Sequence, residues 1–175
     1  MALIKDRKLA HDRWQLLEAG AKGALPPVPA TGDVIVPLAA WQALRVELLT
    51  RSGNGGGLGV WLSGEHDPAV LANDLEHFQV IAVHFPSFTD GRGYSTGRLL
   101  RQRYGWTGEL RAIGDIQRDQ LFYLSRCGFD AFDLRAGEDV EVALQAFSDF
   151  SEGYQASVER PLPLFRRREA VSLEK

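Results

Sequence analysis

The stretch Phe85-Pro86-Ser87-Phe88-Thr89-Asp90-Gly91-Arg92-Gly93-Tyr94-Ser95-Thr96-Gly97-Arg98 concentrates groups suited to holding an anion. Gly91 and Gly93 permit a backbone path with free amides just ahead of a helix, where unpaired N–H groups and the helix dipole favour negative charge. Arg92 and Arg98 add guanidinium forks. A phosphate, sulfate, sulfite or carboxylate suits such a loop, with Ser87, Asp90, Gly91, Arg92, Gly93, Ser95 and Arg98 as the contacting set. The same residues also make an ordinary glycine-bearing connection in which Asp90 pairs with Arg92 or caps the helix. The spacing is neither Gly-x-Gly-x-x-Gly nor a Walker loop with its Lys-Ser/Thr ending.

Asp115, directly after Ile113-Gly114, is either a general base or the cap of a helix beginning near Ile116. Asp90 and Asp115 are therefore the candidate acid/base groups. The glycine run Gly53 to Gly59 precedes a strand, whereas phosphate loops follow one, so it reads as a flexible connection. His66 and His84 are too scattered to form a metal site with Glu65 and Asp90, and His84 reads as a hydrogen-bonded core histidine inside a strand. The single cysteine, Cys127, reads as a small buried hydrophobe. One cysteine cannot make an intrachain disulfide, ligate an iron-sulfur cluster or build a cysteine-rich zinc site, and no cofactor is evident.

The elements that must position these groups alternate between apolar runs and helical periodicity. The runs are Asp33–Leu38, Leu58–Ser63, Val80–Phe85, Glu109–Ile113 and Ala131–Leu134. Leu38, Trp41, Leu44, Leu48 and Leu49 follow the first at helical spacing; Asp67-Pro68 opens a helix through Leu71, Leu75 and Phe78 after the second. Further helices are expected near Ser95–Tyr104, from Gln117 to the C′ glycine Gly128, and from Glu138-Asp139 to Phe150. About five repeated βα units argue for an α/β fold with a mostly parallel sheet, and two architectures fit: an open three-layer sandwich or a partial TIM-like barrel. In either, ligands bind beyond the carboxyl ends of the strands. Residues Ser63, Glu65, His66, Ser87, Asp90, Arg92, Asp115, Gln117, Arg135 and Glu138 gather on that edge.

The expected organisation is a short N-terminal β segment and linker over 1–32, the α/β domain over 33–160 and a C-terminal tail over 161–175. Two short strands around a charged turn, Leu3-Ile4-Lys5 and Trp14-Gln15-Leu16-Leu17, precede a Pro/Gly-rich linker. With 175 residues, 45% hydrophobic, and a net charge of -3, the chain reads as one globular domain without a case for nucleic acid or a membrane surface. No run approaches a bilayer span, and charges break the start, so no signal peptide is expected and the expected location is cytoplasmic. The arginines 98, 101, 103, 111 and 118 make the middle basic, either a solvated helix face or a docking surface for an acidic protein. Five βα units leave sheet edges, so a homodimer is expected unless the N-terminal segment covers them.

Phe88-Thr89-Asp90-Gly91-Arg92-Gly93-Tyr94-Ser95, Gly108-Glu109-Leu110-Arg111-Ala112-Ile113-Gly114-Asp115-Ile116-Gln117-Arg118-Asp119-Gln120-Leu121 and Arg126-Cys127-Gly128-Phe129-Asp130-Ala131-Phe132 resemble a bacterial family filed as a domain of unknown function. Its genes lie beside those of assimilatory sulfite reductase in many proteobacteria. Members are labelled probable oxidoreductases of sulfite reduction on gene neighbourhood, and no catalytic residues carry over. The resemblance implies an accessory protein acting with sulfite reductase or another sulfate-assimilation enzyme. The residues themselves leave open a small enzyme or sensor that binds an anionic sulfur or phosphate metabolite at the sheet edge.

Overall fold

The computed structural model describes residues 2–20 and 24–167. One eight-stranded sheet organises them, built from β1 (Ala2–Lys5), β2 (Lys8–Ala10), β3 (Trp14–Leu16), β4 (Asp33–Pro37), β5 (Leu58–Ser63), β6 (Val80–Phe85), β7 (Glu109–Gly114) and β8 (Ala131–Leu134). Their spatial order is β2-β1-β8-β7-β6-β5-β4-β3. Strands β3 through β8 run parallel to one another, and β1 is antiparallel to both β8 and β2. The fold is thus α/β with a mostly parallel sheet and a short N-terminal β segment joined to it.

Helices α1 (Leu38–Gly53), α2 (Arg92–Gln102), α3 (Arg118–Arg126) and α4 (Val140–Gln145) follow β4, β6, β7 and β8. The expected helix after β5 is instead two 3-10 turns, Pro68–Leu71 and Leu75–His77. Asp67 caps the first by accepting from the Ala69 amide, with Pro68 at the first position as the sequence indicated. The segment then stays short because α1 clasps it. Trp41 donates its indole N–H to Asp74 at 2.9 Å, and Arg45 donates to the same carboxylate through two nitrogens.

All four helices pack on one face. The main core joins Val34, Val60, Ile81, Val83, Leu110 and Phe132 from the strands to Trp41 and Leu48 of α1, Leu100 of α2, Leu121 and Leu124 of α3 and Ala143 of α4. Each fully buried branched side chain there contributes roughly 1.5–3 kcal/mol. The alternate strand positions form a separate inner cluster of Ile35, Val80, Ala82 and Ile113, packed with Trp14, Leu16 and Trp61 and with no helix residue in it. A three-layer sandwich needs helices on both faces, so the sheet is a curled half-barrel, the second of the two expected architectures.

The chain itself requires the curl. His11, Asp12 and Arg13 alone connect β2, at one edge of the sheet, to β3, at the other. Four Cα steps reach at most roughly 14 Å. Eight strands laid flat would span roughly 34 Å. The edges are therefore drawn together, and the connector crosses the inner face. Asp12 meets Arg111 of β7 there at 2.7 Å; Arg111 also binds Glu109 at 2.7 Å, and Lys5 binds Glu109 from β1 at 2.7 Å. This network fills the lower half of the interior, with Arg111 and Glu109 almost wholly buried.

The N-terminal segment holds three strands where two were expected. Asp6 and Arg7 both adopt positive φ, 50° and 60°, the backbone of a two-residue type I′ hairpin turn without the usual glycine.

Candidate functional site

The loops after β5 through β8 share the carboxyl edge of the parallel strands. In the β6–α2 loop, the Asp90 carboxylate accepts hydrogen bonds from the Arg92 amide at 3.1 Å, from Arg92 Nε at 3.0 Å and from Nη2 at 2.6 Å. The Arg92 guanidinium also reaches Glu65 after β5 at 3.0 Å. These bonds lower the Asp90 pKa to about 2 and raise that of Arg92. Asp90 thus pairs with Arg92 and accepts the amide of that first helical residue, while the N-cap position of α2 is Gly91 and carries no side-chain cap. Its carboxylate stands where an external anion would meet the helix start.

The other residues of the loop divide. Ser87 and Thr89 bond to each other through their hydroxyls at 3.2 Å, and Gly91 is exposed at the helix start. Gly93 is buried, and a Cβ there would lie 2.5 Å from the Phe85 ring. Ser95 is exposed, and Arg98 donates to Gln102 at 2.8 Å one turn along the helix, so Arg98 does not converge with Arg92.

Asp115 does not cap a helix. Gln117 occupies the N-cap of α3 and forms a reciprocal capping box with Gln120. Asp115 is instead the tie between loops. Its Oδ2 accepts from the Phe88 amide at 3.0 Å, its Oδ1 accepts from Gln117 and from Arg135 at 3.2 and 3.3 Å, and its own amide donates to the Phe85 carbonyl at 2.8 Å. Gly114 precedes it at φ 101°, a conformation open to glycine, and a Cβ there would sit 2.3 Å from the Phe85 oxygen and 3.1 Å from His84 Nε2.

Inside this ring of loops the upper half of the barrel interior is hollow. The chamber, about 410 Å³, is bounded by Trp61, His84, Ile113, Gly114 and Asp133 on the strands and by Leu16, Glu18 and Ala19 where the chain leaves β3. Trp61 is fixed by an indole N–H bond to the Leu17 carbonyl at 2.9 Å, and the His84 ring lies against it at 5.7 Å between centroids. His84 is half-buried and has no hydrogen-bond partner among the described residues, a correction to its reading as a hydrogen-bonded core histidine. Asp133 is half-buried, and burial raises its pKa, with Arg111 opposing and Asp12 assisting.

Sequence reasoning missed Trp61, His84 and Asp133 as a group. The available signal was that polar side chains interrupt otherwise apolar strands; that His84 and Asp133 share one level, with Trp61 one inward position below, follows only from register. Ser63, His84 and Ile113 are consecutive partners across β5, β6 and β7. Continuing the β7–β8 register from Ala112↔Phe132 brings Asp133 level with Ile113.

The remaining candidates have local roles. His66 accepts from the Ser63 amide at 3.0 Å in the turn after β5. No group of three or more His, Cys, Asp or Glu among the described residues is placed to hold a metal ion. Cys127 is buried at the end of α3, and burial pushes its thiol pKa up. Gly53–Gly59 is held by Arg51, which donates to the carbonyls of Pro29, Gly32 and Gly57. The basic middle does not form one patch. Arg111 lies inside the barrel, Arg101 binds Asp130 and the carbonyls of Trp106, Gly108 and Gly128, and Arg118 binds Asp149. No helix among the described residues is long and apolar enough to cross a membrane.

A model of the family described as "Bacterial protein of unknown function (DUF934)" matches residues 59–165. No curated protein matches the chain.

Proposed function

The chain belongs to the bacterial family of unknown function DUF934, and from that membership we propose that it is an accessory protein of assimilatory sulfate and sulfite reduction that acts with sulfite reductase. The reading draws on the resemblance of its motifs to the family encoded beside that enzyme. One observation carries it into the fold. The two most distinctive stretches, Asp90–Ser95 and Gly114–Gln120, start at adjacent strand ends, and the Asp115 carboxylate binds the Phe88 amide to join them. Motifs that served packing alone would have no need to meet at the edge where α/β proteins present ligands and partners.

An accessory role also suits the chemistry. Sulfite reduction needs several electrons, and the only cysteine is buried with its thiol pushed away from the thiolate form. Electron transfer is then left to the partner enzyme.

Deleting the gene in a bacterium that grows on sulfate tests the role. Growth is expected to slow on sulfate or sulfite and to recover on cysteine, and the purified protein is expected to co-elute with sulfite reductase. Equal growth on all three sources and separate elution would overturn it.

A second reading places an anionic sulfur or phosphate metabolite at Arg92. It is favoured by the way that guanidinium already holds a carboxylate at a helix start. Thermal unfolding with sulfite, sulfate and phosphate checks it. A concentration-dependent rise in the midpoint, lost in Arg92→Ala, is expected if the anion exchanges with Asp90.

A further inference from the structure

The chamber above Arg111 differs in chemistry from the arginine loop outside it. Its volume, about 410 Å³, lies in the range of small-molecule sites. Its walls combine the indole of Trp61, the aliphatic Leu16 and Ile113, the imidazole of His84 and the carboxyl of Asp133. The boundary includes the carboxylates Asp133 and Glu18 and no lysine or arginine. Two cations act on Asp133: Arg111, whose guanidinium is bound by Asp12 and Glu109, and the N-terminal ammonium. An anion entering this space would meet like charge without a compensating fork.

We infer that the chamber binds a small planar nitrogenous compound in neutral or cationic form, stacked on Trp61 and hydrogen-bonded to Asp133 and His84. Three observations support this class. The Asp133 carboxyl is half-buried and accepts no hydrogen bond from the described residues, which leaves acceptor capacity facing the hollow, an uncommon state for a partly buried carboxyl. The Trp61 ring is immobilised by its N–H bond to Leu17, so it offers a planar surface at little entropic cost. His84 and Asp133 stand on strands separated by β7, roughly 10 Å apart at the Cα atoms, which leaves room for one ring between their side chains. Burial keeps a proton on Asp133 to higher pH than usual, so the carboxyl can also donate to a neutral heteroaromatic nitrogen or carbonyl. The inference does not depend on the sulfite-reduction reading, whose anionic substrates it excludes from this chamber.

Three isosteric probes that differ in charge provide the test: benzamidine, benzamide and benzoate, followed through the Trp61 indole and Gly114 amide resonances. Benzamidine and benzamide are expected to shift both signals saturably, in the millimolar range that fragments of this size reach, and benzoate to shift neither. Asp133→Asn, nearly isosteric, is expected to weaken benzamidine about tenfold, the loss of one charge-assisted contact, and to leave benzamide within about twofold. Benzoate binding as tightly as benzamidine, an unchanged benzamidine affinity in Asp133→Asn, or no shift with any probe would each overturn the inference. Retained dispersion of the remaining amides in the variant separates lost binding from lost folding.

Discussion

Arg111 of β7 meets Asp12 at 2.7 Å, although 99 residues separate them in sequence. The contact fastens the connector between the two sheet edges to the floor of the barrel, and Glu109 and Lys5 complete the charge balance. Removing Arg111 takes away the partner of Asp12 and leaves the buried Glu109 with Lys5 alone. Arg111→Ala is expected to lower stability by about 3–5 kcal/mol in urea unfolding, and the double change Glu109→Gln with Arg111→Met to recover a substantial part of that loss. A cost below about 1 kcal/mol for Arg111→Ala would mean the network is not needed to hold the curl.

Gly114 holds the backbone turn that leads from β7 into the mouth loops. Gly114→Ala combines strain at positive φ with a collision against the Phe85 oxygen, and we expect a loss of about 3 kcal/mol. Gly55→Ala, at φ 94° in open space, should cost about 1 kcal/mol, from backbone strain alone. Equal costs at the two sites would show that Gly114 is not sterically confined.

The Asp90–Arg92 pair can be read by titration. The folded pKa of Asp90 lies at about 2, below its ordinary 3.8, so its contribution to stability is present above the ordinary value and is lost as pH falls toward 2. Carbon NMR of the Asp90 carboxyl should give that midpoint in the wild type and a return toward the ordinary value in Arg92→Ala. Unfolding temperature at neutral pH should hardly move, because the pair is exposed and solvent-screened.

Asp133 has the opposite sign. Its folded pKa is raised by burial, so the folded state binds the proton more tightly than the unfolded chain, and stability declines as pH rises from the ordinary carboxylate value through the folded one. Asp133→Asn should therefore melt higher than wild type at neutral pH, and the difference should vanish in acid. A variant that melts lower at neutral pH would show that the ionised carboxylate has a stabilising partner.

The strands were legible where both faces are buried. Leu58–Ser63, Val80–Phe85 and Ala131–Leu134 follow the apolar runs residue for residue, because burial on either side of a parallel strand writes a continuous hydrophobic stretch. The helix after Asp67-Pro68 misled for the converse reason. Leu71, Leu75 and Phe78 have helical spacing, but Trp41 and Arg45 capture Asp74 between them and hold the chain in two tight turns. Around the mouth, the sequence placed the polar loop residues on the correct edge. That Trp61, His84 and Asp133 line one hollow depends on strand register and on how far the sheet curls, which no local pattern encodes. Arg111 illustrates the same limit: within a run of arginines it reads as surface, yet its place on an inner strand position makes it the most enclosed of them.

The pairing of β1 with β8 sets the order in which the protein can be completed as it leaves the ribosome. Ile4 finds its partner only when Phe132 has been made, so the first strands emerge long before the edge they will occupy. Strand β3 can dock on β4 soon after synthesis, whereas the hairpin ahead of it must wait with the β8-facing edge of β1 unpaired. Closure of such a distant contact is slow compared with local pairing. During that interval Leu3, Ile4 and Leu9 form an exposed apolar ribbon, the segment on which a nascent-chain chaperone would have most to protect.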